Sequence, residues 1–282
     1  EDSTGTTTYS VAMTRAEALA IVLAAPSVIT TANQDAYGLS GTCNMTGVSV
    51  VVTLASGSAS TSSSAAACND GTWSATADAS SLADGTVTVT AVGSTDLETN
   101  TVTSSVNKDT TGPAVSVPAN ITVDADSADG TPASNAAIAA FLEEATAADI
   151  VDGSVSVTNN APPVFPIAAT TVTFTAADVL GNIGTATAVV TVEDQSPPVI
   201  DAPATFVVLG TEAGLSATEQ AIVDFIASVT ATDKVDGALA ITNDGPDFYP
   251  FGATTVTFTA VDAAGNQATA ITVVNVSLDP IA

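Results

Sequence analysis

The sequence predicts an all-β protein of tandem β-sandwich domains, with a short helix inserted in each of the two later domains. One motif occurs twice without gaps, 84 residues apart, as the positions of Asp149 and Asp233 show. Aromatic residues make up only 4% of the chain, so the cores must be filled by aliphatic side chains, and β-branched residues favour strands. Tandem copies of one unit are typical of spacers, stalks and adhesive surfaces more than of enzymes.

Each copy of the motif has three parts. It begins with an Asp-x-Val-Asp-Gly turn, continues as a Thr-Thr-Val-Thr-Phe-Thr-Ala strand and ends in an Asp-x-x-Gly-Asn turn. In a strand, alternate side chains point to opposite faces. We therefore predict that one face is buried and that the intervening threonines lie on the other. The predicted buried residues are Val172, Phe174 and Ala176 in the first copy and Val256, Phe258 and Ala260 in the second.

Apolar residues at helical spacing precede the acidic turn in both copies. They are Ala137, Ile138, Phe141 and Leu142 in the first copy and Ile222, Phe225 and Ile226 in the second. In the second copy a Ser-Ala-Thr-Glu capping box at 216–219 marks the helix start. The spacing predicts one amphipathic helix per repeat, which packs on the sheet or closes one end of the sandwich.

Two acidic, proline-containing linkers, at 107–113 and 193–198, indicate the domain boundaries. The predicted organisation is an N-terminal strand and helix segment over 1–25, a first β-domain over 26–108, and two repeats over 109–193 and 194–282.

The N-terminal segment matches neither repeat. Tyr9, Val11 and Met13 alternate with polar or small residues, which predicts a strand. A capping box at 14–17 then predicts a short helix over Ala18–Leu23, with a stop at Pro26. The strand is expected either to complete a sheet of its own chain or to pair with the open sheet edge of a neighbouring copy, which would build filaments.

The first β-domain contains both cysteines, Cys43 and Cys68, and the single tryptophan, Trp73. We predict a disulfide, which would contribute about 3 kcal/mol for a loop of this length and which indicates an oxidising compartment. The alternative is two unpaired buried thiols. Trp73 is expected in the core, the alternative being a platform for carbohydrate.

The charge of the chain excludes several classes of function. Thirty acidic residues face three basic ones, giving a net charge of −27, and histidine is absent. Such a surface repels nucleic acids and anionic membranes.

No apolar stretch approaches the roughly 20 residues that span a bilayer. Without a histidine base, a nucleophile elbow or a phosphate-binding glycine loop, we predict that the chain is not an enzyme.

The same charge predicts divalent cations as counter-ions, and Ca²⁺ prefers six to eight oxygen ligands. The alternative is ordinary turn chemistry, because Asx side chains followed by glycine stabilise turns without a metal. Lys234, inside the second cluster, argues against a cation there and makes the first repeat the better candidate. The predicted ligands are Asp149, Asp152, Asp178, Glu193, Asp194, Asp233, Asp236 and Asp262.

Two resemblances to known families follow from these motifs. Residues 113–192 and 197–276 resemble hyalin-repeat (HYR) domains through Ala-Thr-Asp-x-Val-Asp-Gly at 231–237, the Tyr-Pro pair at 249–250 and the segment 252–266. Residues 26–106 resemble bacterial immunoglobulin-like domains through the Leu-x-Asp-Gly-Thr turn at 82–86.

The resemblances imply immunoglobulin-like sandwiches, an extracellular structural or adhesive role, partners on cell surfaces or in the matrix or self-association, and no catalytic residues. The alternatives are binding of a carbohydrate or protein ligand, and an accessory region of a larger secreted protein or enzyme. Three Asn-x-Ser/Thr sequons, at Asn44, Asn120 and Asn275, carry sugar only if the host glycosylates.

Overall fold

The computed structural model describes residues 17–278, which form 26 β-strands, two α-helices and one short 3-10 helix. The all-β prediction is confirmed. Within these residues no helix is both long enough and apolar enough to cross a bilayer. The predicted assembly strand with Tyr9, Val11 and Met13 lies outside the described residues.

Contacts between Cα atoms divide the chain into two compact units. Of the described residues, unit 1 comprises 17–114, 147–156 and 176–184, and so contains the first domain and the acidic turns of the first repeat. Unit 2 comprises residues 115–146, 157–175 and 185–278, which hold the rest of the first repeat and the second repeat.

The first domain is a sandwich of two antiparallel sheets. One has the strand order β1-β2-β6 and the other β4-β3-β7-β8, with β5 also paired to β3. The strands are β1 (Ile21–Leu23), β2 (Tyr37–Cys43), β3 (Ser49–Ser56), β4 (Ala59–Ser62), β5 (Ala66–Ala67), β6 (Thr72–Ala77), β7 (Gly85–Ser94) and β8 (Thr99–Lys108).

Buried side chains from both sheets form one core in this domain. Trp73, on β6, is 3% exposed and therefore belongs to that core and offers no platform for carbohydrate. Its ring lies over Gly41 of β2, where a Cβ atom would come within 2.6 Å of the indole. Cys43 and Cys68 are joined by a disulfide, with Cα atoms 6.5 Å apart, and β3, β4 and β5 lie in the segment that it closes.

The helix predicted over Ala18–Leu23 is wrong, because Ile21–Leu23 form strand β1. Ile21 lies opposite Cys43 and Leu23 opposite Gly41 in an antiparallel pair. Leu19 and Ile21 are buried while Ala20 and Val22 are exposed, which is the two-residue period of a strand. Burial of these two side chains against the core outweighs the helical preference of the alanines.

Each later repeat has a four-stranded sheet, a three-stranded sheet, a two-stranded ribbon and one helix. In the first repeat the orders are β10-β17-β16-β14, β13-β12-β9 and β11-β15; in the second they are β19-β26-β25-β23, β18-β21-β22 and β20-β24. The first repeat contains β9 (Ala114–Ser116), β10 (Ile121–Asp124), β11 (Thr131–Pro132), α1 (Ala136–Glu143), β12 (Thr146–Asp149), β13 (Gly153–Val155), β14 (Val157–Asn159), β15 (Val164–Phe165), β16 (Ala169–Ala177) and β17 (Ile183–Glu193). The second contains β18 (Val199–Asp201), β19 (Thr205–Gly210), β20 (Leu215–Ser216), α2 (Gln220–Ser228), β21 (Thr230–Asp233), β22 (Gly237–Leu239), β23 (Ile241–Asn243), β24 (Phe248–Tyr249), β25 (Gly252–Val261) and β26 (Gln267–Leu278).

The predicted inward faces of β16 and β25 are confirmed. Val172, Phe174, Ala176, Val256, Phe258 and Ala260 are all at most 1% exposed. The helices pack on these faces through an aromatic pair that recurs in both repeats. Phe141 of α1 meets Phe174 edge-to-face, with ring centroids 5.8 Å apart, and Phe225 of α2 meets Phe258 at 5.9 Å. Such pairs add about 0.5–1.5 kcal/mol beyond the burial of their area.

The two helices exist as predicted, but the second begins later than its capping box indicates. The N-cap of α2 is Glu219, and its side chain makes no capping hydrogen bond. The Ser216 hydroxyl instead accepts a hydrogen bond from the N–H of Thr218 in the preceding turn. In α1 the cap is Asn135, whose side chain accepts from the N–H of Ala137.

Candidate metal centres

The first acidic turn of each repeat fixes an aspartate at the end of a strand. Asp149 ends β12, and its Oδ1 accepts hydrogen bonds from the N–H groups of Val151 and Asp152 at 2.7 and 3.0 Å. Gly153 completes the turn with a φ of 75°, a backbone conformation that favours glycine. Only one carboxylate oxygen is needed for this turn, so the other is free to face a ligand.

The second repeat builds the same turn. Asp233 ends β21, and its Oδ1 accepts from the N–H groups of Val235 and Asp236 at 2.7 and 3.2 Å. Gly237 has a φ of 71°. The Asx geometry that the sequence offered as the alternative to a metal is therefore present in both repeats.

The second acidic turn holds its aspartate through an asparagine. Asp178 accepts from the N–H of Asn182 at 2.8 Å and from its Nδ2 at 2.7 Å. Asp262 accepts from the corresponding groups of Asn266 at 2.7 and 2.8 Å. Burial raises the pKa of Asp178, but the hydrogen bonds from Asn182 outweigh that effect and lower it, which keeps the carboxylate ionised.

A linker aspartate completes each cluster. Asp109 follows β8 and is only 1% exposed, and its Oδ1 accepts a long bond of 3.4 Å from Asn182 Nδ2. In the second repeat the same asparagine position, Asn266, donates instead to the main-chain oxygen of Asp194 at 3.1 Å. Oδ2 of Asp194 is shielded from solvent, and no donor within residues 17–278 reaches it.

These residues form two groups of three carboxylates. Asp109, Asp149 and Asp178 lie in unit 1, and Asp194, Asp233 and Asp262 lie in unit 2. Within each group, one carboxylate oxygen per residue lies within 4.8 Å of the others. The four turn aspartates are 6–8% exposed. Each group thus places up to three negative charges close together, at three buried residues in the first group and beside the half-buried Asp194 in the second.

Burial and mutual repulsion raise the pKa values of the linker aspartates. Burial, together with the charges of Asp178 and Asp149, raises the pKa of Asp109 to about 6. Burial likewise raises the pKa of Asp194, with the charges of Asp233 and Asp262 adding to the effect. A divalent cation would remove this penalty, because carboxylates are the oxygen ligands that Ca²⁺ and Mg²⁺ prefer.

Five of the eight predicted ligands lie in these clusters, and three do not. Asp152 and Asp236 instead tie the two turns of their repeats together. Their Oδ2 atoms accept from the N–H groups of Val179 and Ala263 at 2.8 and 2.7 Å. Glu193 is exposed and accepts from the Gln195 side chain at 3.4 Å.

Asp109 is the cluster member that sequence reasoning missed. It lies in the first linker, 85 residues before Asp194, whereas the turn aspartates repeat at 84. Aligning the two linkers with one extra residue in the first repeat would have paired Asp109 with Asp194.

Lys234 does not enter the second cluster, contrary to the argument made from its position. Its Nζ lies 2.5 Å from Oδ2 of Asp124, the last residue of β10. Asp124 also accepts from the Ser196 hydroxyl and the Gln195 N–H. Despite burial, which acts to raise it, these partners lower the pKa of Asp124 to about 2. The charge of Lys234 is thus shared with a carboxylate outside the cluster.

The chain is similar to two curated proteins named hyalin. It is 35% identical over 177 residues to hyalin of Lytechinus variegatus, covering 61% of this chain and 32% of that protein. With hyalin of Strongylocentrotus purpuratus it shares 37% identity over 185 residues, covering 62% of this chain and 15% of that protein. The chain therefore spans a third or less of the length of these relatives.

A solved I-band fragment of titin aligns with 93% of this chain and 100% of its own, at 9% identity and a TM-score of 0.46. The HYR domain model matches residues 108–192 and 193–276, more than half of the chain, and both matches contain the acidic turns described above. The chain belongs to the HYR domain family.

Proposed function

We propose that this chain is a non-enzymatic segment of an extracellular structural or adhesive protein, and that Ca²⁺ binds its two aspartate clusters and stiffens the adjoining linkers. The chain is similar to hyalin in sequence and family, and the proposal adds a role to that similarity. That residues 26–106 form a bacterial immunoglobulin-like domain remains a prediction, and it agrees with such a role.

One observation carries the proposal: the same three-carboxylate cluster occurs in both repeats, each built from one linker aspartate and two turn aspartates. A single active site does not need to recur in every copy of a domain, whereas a structural cation site does. Each cluster also ties a linker to the turns that follow it in sequence, and a cation bound there would restrain that linker.

Burial supports a cation over plain turns. Turn chemistry uses one oxygen of Asp149 and of Asp233, and it explains neither the burial of Asp109 nor the unpartnered Oδ2 of Asp194. A carboxylate oxygen that is shielded from water and has no donor is costly. A cation coordinated by these oxygens would satisfy them, with water filling its remaining coordination positions.

Adding millimolar Ca²⁺ to the chelated full chain should raise its melting temperature, because a ligand that binds only the folded state stabilises it. At a concentration 100 times the dissociation constant, one site contributes about 2.7 kcal/mol. Thermal unfolding followed by circular dichroism measures the shift, with Mg²⁺ at equal ionic strength as the reference.

Isosteric variants locate the effect. Asp149→Asn and Asp233→Asn keep the Oδ1 acceptor that each turn uses while removing one ligand charge per cluster, and together they should abolish most of the Ca²⁺ shift. Asp96→Asn changes an exposed loop aspartate and should leave the shift intact. A Ca²⁺ shift that is unchanged in the double variant and is matched by Mg²⁺ would mean general charge screening and no specific site.

Assembly into a filament forms a second part of the proposal. It is supported by the strand-like alternation of Tyr9, Val11 and Met13 and by the strength of main-chain pairing along an open sheet edge. Deleting residues 1–13 should abolish polymers seen by electron microscopy while leaving the melting of the two repeats unchanged. Polymers that persist after the deletion would refute the donated strand.

A further inference from the structure

The three sequons have different structural surroundings, and within residues 17–278 only Asn120 combines an exposed position with an Nδ2 that donates no hydrogen bond. Asn44 is exposed, but its side chain is occupied at both ends. Its Oδ1 accepts from the N–H of Ala20 and its Nδ2 donates to the carbonyl of Ala18, both at 2.8 Å. A sugar on Nδ2 would have to fit beside this hydrogen bond, against the segment that enters β1.

Asn275 is half-buried in the middle of β26. This strand is interior to its sheet, and Asn275 is paired with Val207 of β19 on one side and Ala253 of β25 on the other. Asn275 alternates with the buried Val274 and Val276, so it lies on the outer face of the sheet. A sugar there would have to fit among the side chains of both neighbouring strands.

Asn120 differs from both. It is exposed in the loop before β10, and Thr122, the hydroxyl residue of its sequon, is exposed as well. Its Oδ1 accepts from the N–H of Val189 at 2.8 Å. Among the residues that the structure describes, no acceptor takes a hydrogen bond from its Nδ2. One half of the amide is therefore fixed, and the half that would carry a sugar is left free.

The second repeat satisfies the equivalent donor without an asparagine. There the N–H of Val273, equivalent to Val189, donates to the main-chain carbonyl of Ala204 at 3.0 Å. The backbone alone thus satisfies this donor in one repeat, while a side-chain amide does so in the other. The side-chain arrangement holds the plane of the Asn120 amide in a set orientation.

We propose that Asn120 carries an N-linked oligosaccharide, and that Asn44 and Asn275 do not. The proposal rests on the extracellular location proposed above, because the modification occurs on secreted chains. In the transfer, Nδ2 loses a proton and bonds to C1 of the first sugar, and the pyrophosphate of a lipid-linked oligosaccharide donor leaves. The hydrogen bond to Val189 is retained, since Oδ1 takes no part.

The position of the sugar has a consequence for assembly. β10 is an edge strand of its four-stranded sheet, and open edges pair with other chains unless they are blocked. An oligosaccharide at the start of β10 would cover that edge and leave the equivalent edge strand of the second repeat, β19, uncovered.

The test is secretion of the full chain from glycosylating eukaryotic cells, beside a reference glycoprotein. The mass of the intact chain counts the oligosaccharides, and enzymatic release, which converts each carrying Asn to Asp, locates them by peptide mass spectrometry. We expect one oligosaccharide per chain, at Asn120. Thr122→Val should remove the oligosaccharide while keeping Asn120 and its hydrogen bond to Val189. Loss of the oligosaccharide in this variant therefore does not reflect misfolding. Asn44→Gln and Asn275→Gln should change nothing.

An unmodified Asn120 beside a modified reference glycoprotein would overturn the proposal, as would sugar found at Asn44 or Asn275. Forced secretion makes this outcome independent of where the native protein resides. The extracellular location itself is tested separately, by antibody labelling of intact native cells, so the two proposals fail in distinguishable ways.

Discussion

Replacing Asp84 with alanine should lower the free energy of unfolding of the first domain by about 3–5 kcal/mol, the usual cost of removing one partner of a buried ion pair. Asp84 and Lys108 have side chains only 7% and 4% exposed, with Nζ and Oδ1 3.2 Å apart. Asp84 also accepts from the N–H and hydroxyl groups of Thr110 and Thr111. Burial opposes ionisation of Asp84, but these bonds lower its pKa to about 2.

The single tryptophan makes this measurement specific. Trp73 lies in the core of the first domain, so its fluorescence in urea follows that domain without interference from the repeats. Lys108→Met on the Asp84→Ala background should recover part of the loss, because it removes the unpaired charge. Lys234→Met, at a pair about one-third exposed, should leave the tryptophan transition unchanged. A loss under about 1 kcal/mol for Asp84→Ala would show that water reaches Lys108.

In chelator at pH 7, Asp109→Asn should stabilise the protein by up to about 3 kcal/mol, since each unit of pKa shift corresponds to 1.36 kcal/mol. Asp109 is ionised at this pH although burial and the neighbouring aspartates raise its pKa to about 6. Asparagine removes the charge and can still accept the hydrogen bond from Asn182 Nδ2. The carboxylate of Asp109 would thus stabilise the metal-bound state and destabilise the metal-free one.

The pH dependence gives the sign of the effect. A carboxyl group with a raised pKa binds its proton more tightly when folded, so the penalty is complete above about pH 6 and disappears as the pH falls towards 3.8. The advantage of Asp109→Asn should therefore shrink on acidification and reverse in saturating Ca²⁺ at pH 7. Thermal unfolding at pH 7 and pH 5, with and without Ca²⁺, measures this. A variant less stable than the parent in chelator would contradict the prediction.

The fold of the repeats could be predicted because their signals are local and doubled. The alternation around Phe174 and Phe258 fixes which face is buried, and a spacing of three residues fixes the inward side of each helix. The strand at Ile21–Leu23 could not be predicted in this way. Its alanine-rich context favours a helix, and only pairing with β2, a tertiary contact, determines the outcome.

The candidate sites were predictable in part for a similar reason. Asp149, Asp178 and their equivalents in the second repeat lie in turn motifs that can be recognised from the sequence alone. Asp109 lies in a linker, and its burial depends on turns 40 and more residues away. The partner of Lys234 could not be predicted from the sequence either. Asp124 is 110 residues distant, and only folding brings the two charges together.

The parallel pairing of β10 with β17 and of β19 with β26 determines how each repeat responds to tension. In both pairs, an early strand of the repeat runs alongside the last strand in the same direction. Pulling these two strands apart along the chain loads all of their hydrogen bonds in shear at the same moment, whereas a hairpin opens one bond at a time. The pair in the first repeat spans four residue positions and that in the second spans six. We therefore expect the first repeat to unfold at a lower pulling force than the second. Its extension would relieve the tension on the second repeat.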